Sequence, residues 1–174
     1  MKLKSFRMIA VVTIMALVGA VLQPSSGDAT ARSNREVRLQ GTWRVQITPT
    51  NCQGGSGAPP FSMLLSFHRG GTLTEVIGSP AFLPGQRSTG VGVWSHTRGN
   101  AYKGVWEGLM LFDSPAPGVF KRGVQRLQFD FEVYGDQLTT TSTGQFIDIN
   151  GNVYASTCAS GTGTRFEDDA EDED

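Results

Sequence analysis

The sequence has few of the residues that build reactive centres. It contains only two cysteines and two histidines in 174 residues. Metal sites are built from several His, Cys, Asp or Glu ligands, and no zinc-protease, redox-cysteine, P-loop or nucleophile-elbow motif is present. His68 and His96 each end a predicted strand just before a short turn, and we interpret them as solvent-facing. The sequence therefore predicts no metal and no cofactor.

Clustered basic residues and long apolar runs are also scarce. Lys and Arg are dispersed along the chain, so the pattern of a nucleic-acid-binding surface is missing. The apolar run Met8–Leu22 has 15 residues, fewer than the about 20 that span a bilayer. Basic residues precede it, and Ala29-Thr30-Ala31 follows with small residues at cleavage positions. We predict a signal peptide over residues 1–31, a secreted or periplasmic protein, and no stable membrane anchor after cleavage.

The C-terminus is strongly acidic. Residues 167–174 read EDDAEDED, which is seven acids in eight residues. Such a segment repels itself and has no apolar side chains to bury, so a disordered acidic tail is predicted there. Residues 32–166 remain as one domain, long enough for one hydrophobic core.

The two cysteines, Cys52 and Cys158, predict one disulfide in an exported chain. Neither has a His, a second Cys or a carboxylate within a few residues, which disfavours a reactive thiol. The bridge closes a loop of 107 residues, counting both cysteines. We expect a structural disulfide.

Glycine, threonine, valine and aromatic residues are abundant, and little helical periodicity follows residue 31, so the domain is predicted to be all-β. Alternation is clearest in the first strand, where Trp43, Val45 and Ile47 share one face. The predicted strands are Val37–Thr48, Phe61–His68, Thr72–Ile77, Gly90–His96, Ala101–Phe112, Val124–Tyr134, Leu138–Ile147 and Val153–Phe166.

The connections between these strands alternate in length. Long Gly/Pro-rich segments follow strands one, three and five, and short turns follow strands two, four and six. In an up-and-down sheet this alternation places the long loops at one end. We predict an eight-stranded antiparallel up-and-down β-barrel, with a two-sheet β-sandwich as the alternative.

Closure of a barrel pairs the first strand with the last. The disulfide Cys52–Cys158 sets a register that places Trp43 close to Arg165, and an Arg guanidinium stacks well on an indole. Gly41-Thr42-Trp43, together with Arg165 in GTGTRFE, resembles the pattern of the calycin superfamily, which includes lipocalins, fatty-acid-binding proteins and avidins. FEVYGDQL stands where lipocalins carry a second signature, so the resemblance is to a divergent, lipocalin-like member.

Large inward side chains separated by glycines predict a lined cavity. On strand five these are Tyr102, Trp106 and Met110, with Gly104 and Gly108 between them. Hydroxyl groups of strand seven line one wall, either those of Thr139, Thr141 and Thr143 or those of Thr140 and Ser142. The predicted ligand-lining residues are Leu65, Tyr102, Trp106, Met110, Phe129 and Phe131, and the lining suits a small apolar or amphipathic molecule.

The orientation of the Glu75 side chain depends on the length of the RGG turn between the second and third strands. A two-residue turn pairs Glu75 with Ser66 and directs it outward, whereas a three-residue loop pairs it with Leu65 and directs it inward. The frequency of two-residue hairpins favours the outward orientation.

We therefore expect an exported lipocalin-like barrel that binds a small hydrophobic or amphipathic molecule and is not an enzyme. Two alternatives remain open. One is a cyclase or isomerase that uses the barrel as a shaped apolar chamber. The other is a filled barrel that serves as a protein-interaction module through its long loops.

Overall fold

Eight antiparallel strands close into one barrel in chain order. The computed structural model describes residues 38–53, 57–114 and 120–166, so the predicted signal peptide and acidic tail lie outside the described residues. Among those residues, no helix is long and apolar enough to cross a membrane. The strands are β1 (Gly41–Thr50), β2 (Phe61–Phe67), β3 (Thr72–Ile77), β4 (Gly90–Arg98), β5 (Ala101–Met110), β6 (Gly123–Tyr134), β7 (Gln137–Asp148) and β8 (Val153–Arg165).

Closure results from the pairing of β1 with both β2 and β8. Each strand also pairs with its sequence neighbour, so the sheet has an up-and-down order. The predicted barrel is confirmed, and the two-sheet sandwich is excluded. The long connections after β1, β3 and β5 lie at one end, which we call the open end. The short turns after β2, β4 and β6 lie at the other, the closed end.

The predicted strand bounds agree with the structure to within two residues, except at the start of the first strand. That strand was predicted from Val37, but β1 begins at Gly41. Gly41 pairs with Phe67 but has a φ of 115°, a conformation that glycine adopts most readily and that turns the preceding chain away from the strand direction. Leu39 is buried ahead of the strand, so an apolar residue before Gly41 is buried without belonging to β1.

Alternation along each strand places one row of side chains inside the barrel. On β1, Trp43, Val45 and Ile47 are buried, while the residues between them face outward. On β6, the buried row includes Leu127, Phe129, Phe131 and Val133. These rows meet in one hydrophobic core. Burial of this apolar surface is the main stabilising contribution to the fold.

The closed end contains the predicted contact between Trp43 and Arg165. The two residues are paired across β1 and β8, and the Arg165 guanidinium carbon lies 4.4 Å from the Trp43 ring centroid. Arg165 also donates to the backbone carbonyls of Arg38 and Gln40, and its Nε lies 2.8 Å from Asp136 Oδ1. Its cation therefore both stacks on the floor of the barrel and holds the chain that leads into β1.

Trp94 is the second indole at the closed end. Its Nε1 donates to the carbonyls of His68 and Thr72 at 3.2 and 3.0 Å. It therefore holds the turn between β2 and β3 against the core, but the described contacts give it no cation partner of the kind Trp43 has.

Trp43→Ala is expected to destabilise the barrel by about 1 kcal/mol more than Trp94→Ala. Both variants leave a cavity, but loss of Trp43 also removes the surface on which Arg165 stacks. Urea titrations of the two variants under the same conditions measure the difference. Equal midpoints, or a larger effect of Trp94→Ala, would contradict the role assigned to Trp43.

The predicted disulfide joins Cys52 and Cys158, with their Cα atoms 5.0 Å apart. Cys158, the sixth residue of β8, pairs with Thr50 at the end of β1, so the bridge attaches the first long connection to the open end. A structural disulfide is typical of proteins from oxidising compartments and argues against the reducing cytoplasm.

Candidate functional site

A cavity of about 300 Å³ lies at the open end of the barrel, and we call it the mouth cavity. Its wall is formed by the open-end halves of β1, β2, β6, β7 and β8, together with Ile77 at the end of β3. Apolar and small residues make up most of the lining, among them Ile47, Met63, Leu127, Phe129, Ala155 and Ala159. The volume is at the lower end of the range found for small-molecule sites, which are mostly apolar in the same way.

Aromatic side chains from the long connections form a rim around this cavity. Phe82 follows β3 and Phe120 precedes β6, and their rings lie 5.1 Å apart. Phe120 also contacts Phe146 of β7, with centroids 5.4 Å apart. All three side chains line the cavity. The loops are therefore apolar where they face the cavity, although most of their other residues are polar, Gly or Pro.

Of the six residues predicted to line the cavity, Phe129 lies in the wall of the mouth cavity. The other five are deeply buried, and the structure places them in the interior of the barrel rather than among the residues that line this cavity: Leu65, Tyr102, Trp106, Met110 and Phe131. On β7 the second alternative is the observed one, because Thr140 is buried and Ser142 lines the cavity. Thr139, Thr141 and Thr143 face outward.

Glu75 points into the barrel, contrary to the favoured prediction. It pairs with Leu65 and is fully buried. The reason is the turn, in which Gly70 and Gly71 both have positive φ, at 92° and 85°. Two successive glycines in this region allow a three-residue loop, closed by the His68 N–H bond to Thr72 O at 2.9 Å.

The buried carboxylate of Glu75 is paired with Arg87. Arg87 Nη1 lies 2.8 Å from Glu75 Oε2, and the two side chains are 1% and 0% exposed. The backbone N–H of Gly90 donates to the same oxygen at 3.1 Å. Burial raises the pKa of Glu75, while Arg87, the Gly90 amide and the nearby Trp106 indole act in the opposite direction.

Local backbone pairing directs Arg87 inward. Ser88 N donates to Leu109 O and Leu111 N donates to Gln86 O, at 3.0 and 2.9 Å. The segment 86–88 therefore runs antiparallel to the end of β5, and Arg87 opposes Met110 there. The connection after β3 is therefore fixed by backbone hydrogen bonds at the position from which the Arg87 guanidinium enters the barrel.

Gln125 and Phe129 connect this ion pair to the mouth cavity. Arg87 Nε donates to Gln125 Oε1 at 2.6 Å, and Gln125 lines the cavity. Phe129 also lines the cavity, and its ring stacks on Trp106 with centroids 4.0 Å apart. We call Glu75, Arg87, Trp106 and Gln125 the polar cluster.

Three buried polar atoms of the polar cluster have no hydrogen-bond partner among the described residues. They are Glu75 Oε1, Arg87 Nη2 and Trp106 Nε1. The Trp106 indole lowers the pKa of Glu75 as a hydrogen-bond donor, although its Nε1 does not reach the distance and angle of a regular hydrogen bond to either carboxylate oxygen. Buried polar groups are nearly always satisfied in folded proteins, and these three atoms are the groups of the polar cluster for which the described residues supply no partner.

Sequence reasoning missed Arg87, Gln125 and the rim residues Phe82 and Phe120. Gln125 lies two residues before Leu127 in the alternating pattern of β6, so strand alternation predicts that its side chain also faces inward. Arg87, Phe82 and Phe120 lie in long connections, where no periodicity predicts orientation. An Arg or Phe in a Gly/Pro-rich loop beside a predicted barrel mouth is a weak but real indication of a site.

The two histidines lie at the closed end, away from the mouth cavity. His68 Nε2 contacts Thr74 Oγ1 at 3.2 Å, and His96 Nε2 contacts the Gly99 carbonyl at 3.0 Å. Within residues 38–53, 57–114 and 120–166, no group of three or more His, Cys, Asp or Glu is placed to hold a metal ion.

Comparison with solved structures finds the crystal structure of Rv2717c from M. tuberculosis, with a TM-score of 0.36 and 14% sequence identity. The alignment covers 75% of this chain and 94% of that one. No protein-family model matches the chain, and no curated protein matches it. The architecture therefore rests on the chain's own strand order and pairing, which define a closed eight-stranded antiparallel barrel.

Proposed function

We propose that this barrel binds a small, largely apolar molecule in its mouth cavity. The observation that carries the proposal is the cavity of about 300 Å³, with its mainly apolar wall and aromatic rim. A filled barrel serving only as an interaction module would not leave such a space at the open end. The long connections supply the aromatic residues of the rim. They therefore form the entrance to the cavity rather than a docking surface for a partner protein.

We also propose that the protein is exported and that its barrel is calycin-like. Export is supported by the disulfide and by the predicted signal peptide. Two observations support the calycin-like relationship: the contact between Trp43 and Arg165 at the closed end, and the Gly41-Thr42-Trp43 sequence on the first strand. A secreted or periplasmic barrel of this kind is suited to carry or sequester a poorly soluble compound.

The test is a fluorescence titration with N-phenyl-1-naphthylamine, a neutral apolar probe. We compare the wild-type chain with Ala159→Phe and Ser160→Phe. Ala159 lines the mouth cavity, whereas its neighbour Ser160 is exposed on the outside of the barrel. The two variants therefore add the same ring to opposite sides of β8.

We expect the wild-type chain and Ser160→Phe to bind the probe with affinities within about twofold, and Ala159→Phe to bind at least about tenfold more weakly. The added ring occupies the space that the probe needs. Equal binding by all three chains would place the probe elsewhere and contradict the proposal, and so would the absence of binding by the wild-type chain.

A cyclase or isomerase is the second candidate, and the inward Glu75 is the observation that favours it. Burial raises the pKa of the Glu75 carboxyl group, and a carboxyl group shifted in this direction is a candidate proton donor. Against this, Glu75 Oε2 is already engaged by Arg87 and Gly90. Binding without turnover is the simpler use of this geometry.

A further inference from the structure

We infer that the ligand of the mouth cavity carries an uncharged hydroxyl group and directs it to the junction of Gln125 and Phe129, towards Glu75, Arg87 and Trp106 behind it. This inference rests on the proposed function and specifies the class of ligand. It follows from the charge balance of the polar cluster, from its free donors and acceptors, and from its position behind the cavity wall.

The charge balance excludes an ionised head group. Glu75 and Arg87 form a neutral pair, with Arg87 Nη1 at 2.8 Å from Glu75 Oε2 and both side chains almost fully buried. A ligand carboxylate or ammonium would add an unpaired charge at this depth. Burying an unpaired charge is strongly unfavourable, because no water remains to solvate it. The head group that fits is therefore neutral.

The unpartnered atoms define what that neutral group must do. Glu75 Oε1 can accept a hydrogen bond, while Arg87 Nη2 and Trp106 Nε1 can each donate one; none of the three has a partner among the described residues. A hydroxyl group offers one donor and two acceptor lone pairs. It matches this set in number and kind, whereas an ether only accepts and an alkane does neither.

Two glycines make room for the polar cluster inside the barrel wall. A Cβ at Gly90 would lie 2.5 Å from Glu75 Oε2 and 2.8 Å from Trp106 Cδ1. A Cβ at Gly108 would lie 2.6 Å from Arg87 Cζ. The ion pair therefore occupies space that an ordinary side chain would take, as expected of a built site rather than of a packing accident.

The polar cluster lies directly behind two residues of the mouth cavity. Gln125 accepts from Arg87 Nε at 2.6 Å, and Phe129 stacks on Trp106 at 4.0 Å. Both Gln125 and Phe129 line the cavity. An amphipathic molecule whose apolar body fills the cavity thus has its polar end directed to the junction of Gln125 and Phe129.

The experiment compares 1-octanol with heptyl methyl ether, which has the same number of heavy atoms but no hydroxyl donor, and with octanoate, which carries a charge. Each compound competes with N-phenyl-1-naphthylamine on the wild-type chain. We expect 1-octanol to bind about tenfold more tightly than the ether, because the hydroxyl donates to a charged acceptor. Octanoate is expected to bind more weakly than 1-octanol.

The variant Glu75→Leu/Arg87→Met removes the polar pair as a unit. Replacing both members of a buried pair by apolar side chains avoids leaving either charge unpaired. The ratio of ether to alcohol dissociation constants should fall to about 1, because no hydrogen bond to a charged group remains to distinguish the compounds. The matched control is Glu107→Leu/Arg126→Met, which removes an exposed ion pair on the outer face and should keep the wild-type ratio.

The conservative variant Glu75→Gln provides a second, independent measurement, and its amide oxygen still accepts a hydrogen bond from Arg87. It replaces a charged acceptor by a neutral one, so the ratio should drop to about threefold or less. A ratio that stays at the wild-type value in a folded cluster variant overturns the inference.

The competition experiment distinguishes failure of the hydroxyl inference from failure of the proposed binding function. If the wild-type chain binds the probe but 1-octanol and the ether compete equally, the inference is wrong and the apolar binding function stands. Preference for octanoate also overturns the inference. If the wild-type chain does not bind the probe at all, the proposed function fails and the inference fails with it.

Discussion

Arg87→Ala is expected to destabilise the barrel by about 3–5 kcal/mol, which is the usual cost of removing one partner of a buried ion pair. The variant leaves Glu75 fully buried without its cation, and Gln125 loses the donor that lies 2.6 Å from its Oε1. Urea unfolding followed by tryptophan fluorescence measures the change. Glu75→Leu/Arg87→Met should be clearly more stable than Arg87→Ala, although it removes more polar groups.

The matched control for this prediction is Arg126→Ala. Arg126 pairs with Glu107 on the outer face, where the two side chains are 48% and 40% exposed. Solvent screens such pairs, so the loss should be at most about 1 kcal/mol. Similar effects of Arg87→Ala and Arg126→Ala would show that the inner pair is not buried as described.

The second large effect is expected from the disulfide. Cys52→Ser/Cys158→Ser should lower the free energy of unfolding by about 4 kcal/mol, since the bridge joins residues separated by 106 positions and long loops gain most from closure. The Trp43–Arg165 contact lies at the opposite end of the barrel, so it should persist. Denaturant titration gives the stability, and near-ultraviolet circular dichroism reports on the packed tryptophans.

Two results would contradict the disulfide prediction. One is a variant as stable as the wild-type chain. The other is the finding of two free thiols by chemical titration of protein prepared from an oxidising compartment. Loss of the near-ultraviolet signal in a chain that remains folded would instead show that the bridge also organises the closed end.

The barrel itself was predictable because its strands follow simple physical rules. Alternation on β1 and β6 reports which face is buried, and Gly-containing short turns mark the closed end. The two cysteines then set the pairing of the first and last strands. A direct pairing of the two cysteines would put Trp43 opposite position 167; Trp43 instead pairs with Arg165, two residues away, because Cys158 pairs with Thr50.

The candidate site was harder to predict because it depends on loops and on one turn. The inward Glu75 depends on the backbone conformation of Gly70 and Gly71, which allows more than one hairpin type. Arg87 and Phe82 come from the connection between β3 and β4, where neither alternation nor charge pattern gives a direction. Their placement arises from tertiary contacts, such as the backbone pairing of Arg87 with Met110.

The predicted lining illustrates the same limit. Tyr102, Trp106 and Met110 were correctly placed inside the barrel, but inward orientation alone does not separate a packed core from a cavity wall. That distinction depends on where around the barrel wall the open space lies, because Trp106 pairs with the lining residue Leu127 and Met110 lies still nearer the open end. The mouth cavity lies at the open end, where β5 contributes less and the loops contribute more.

Native mass spectrometry of the purified full chain, after incubation with a lipid and metabolite extract, tests the central claim most directly. The binding proposal predicts a defined added mass that is retained by the wild-type chain and by Ser160→Phe but lost by Ala159→Phe. Fragmentation of the released molecule would also show whether it carries a hydroxyl group. A bare protein mass for the wild-type chain after repeated exposure to the extract would contradict the account.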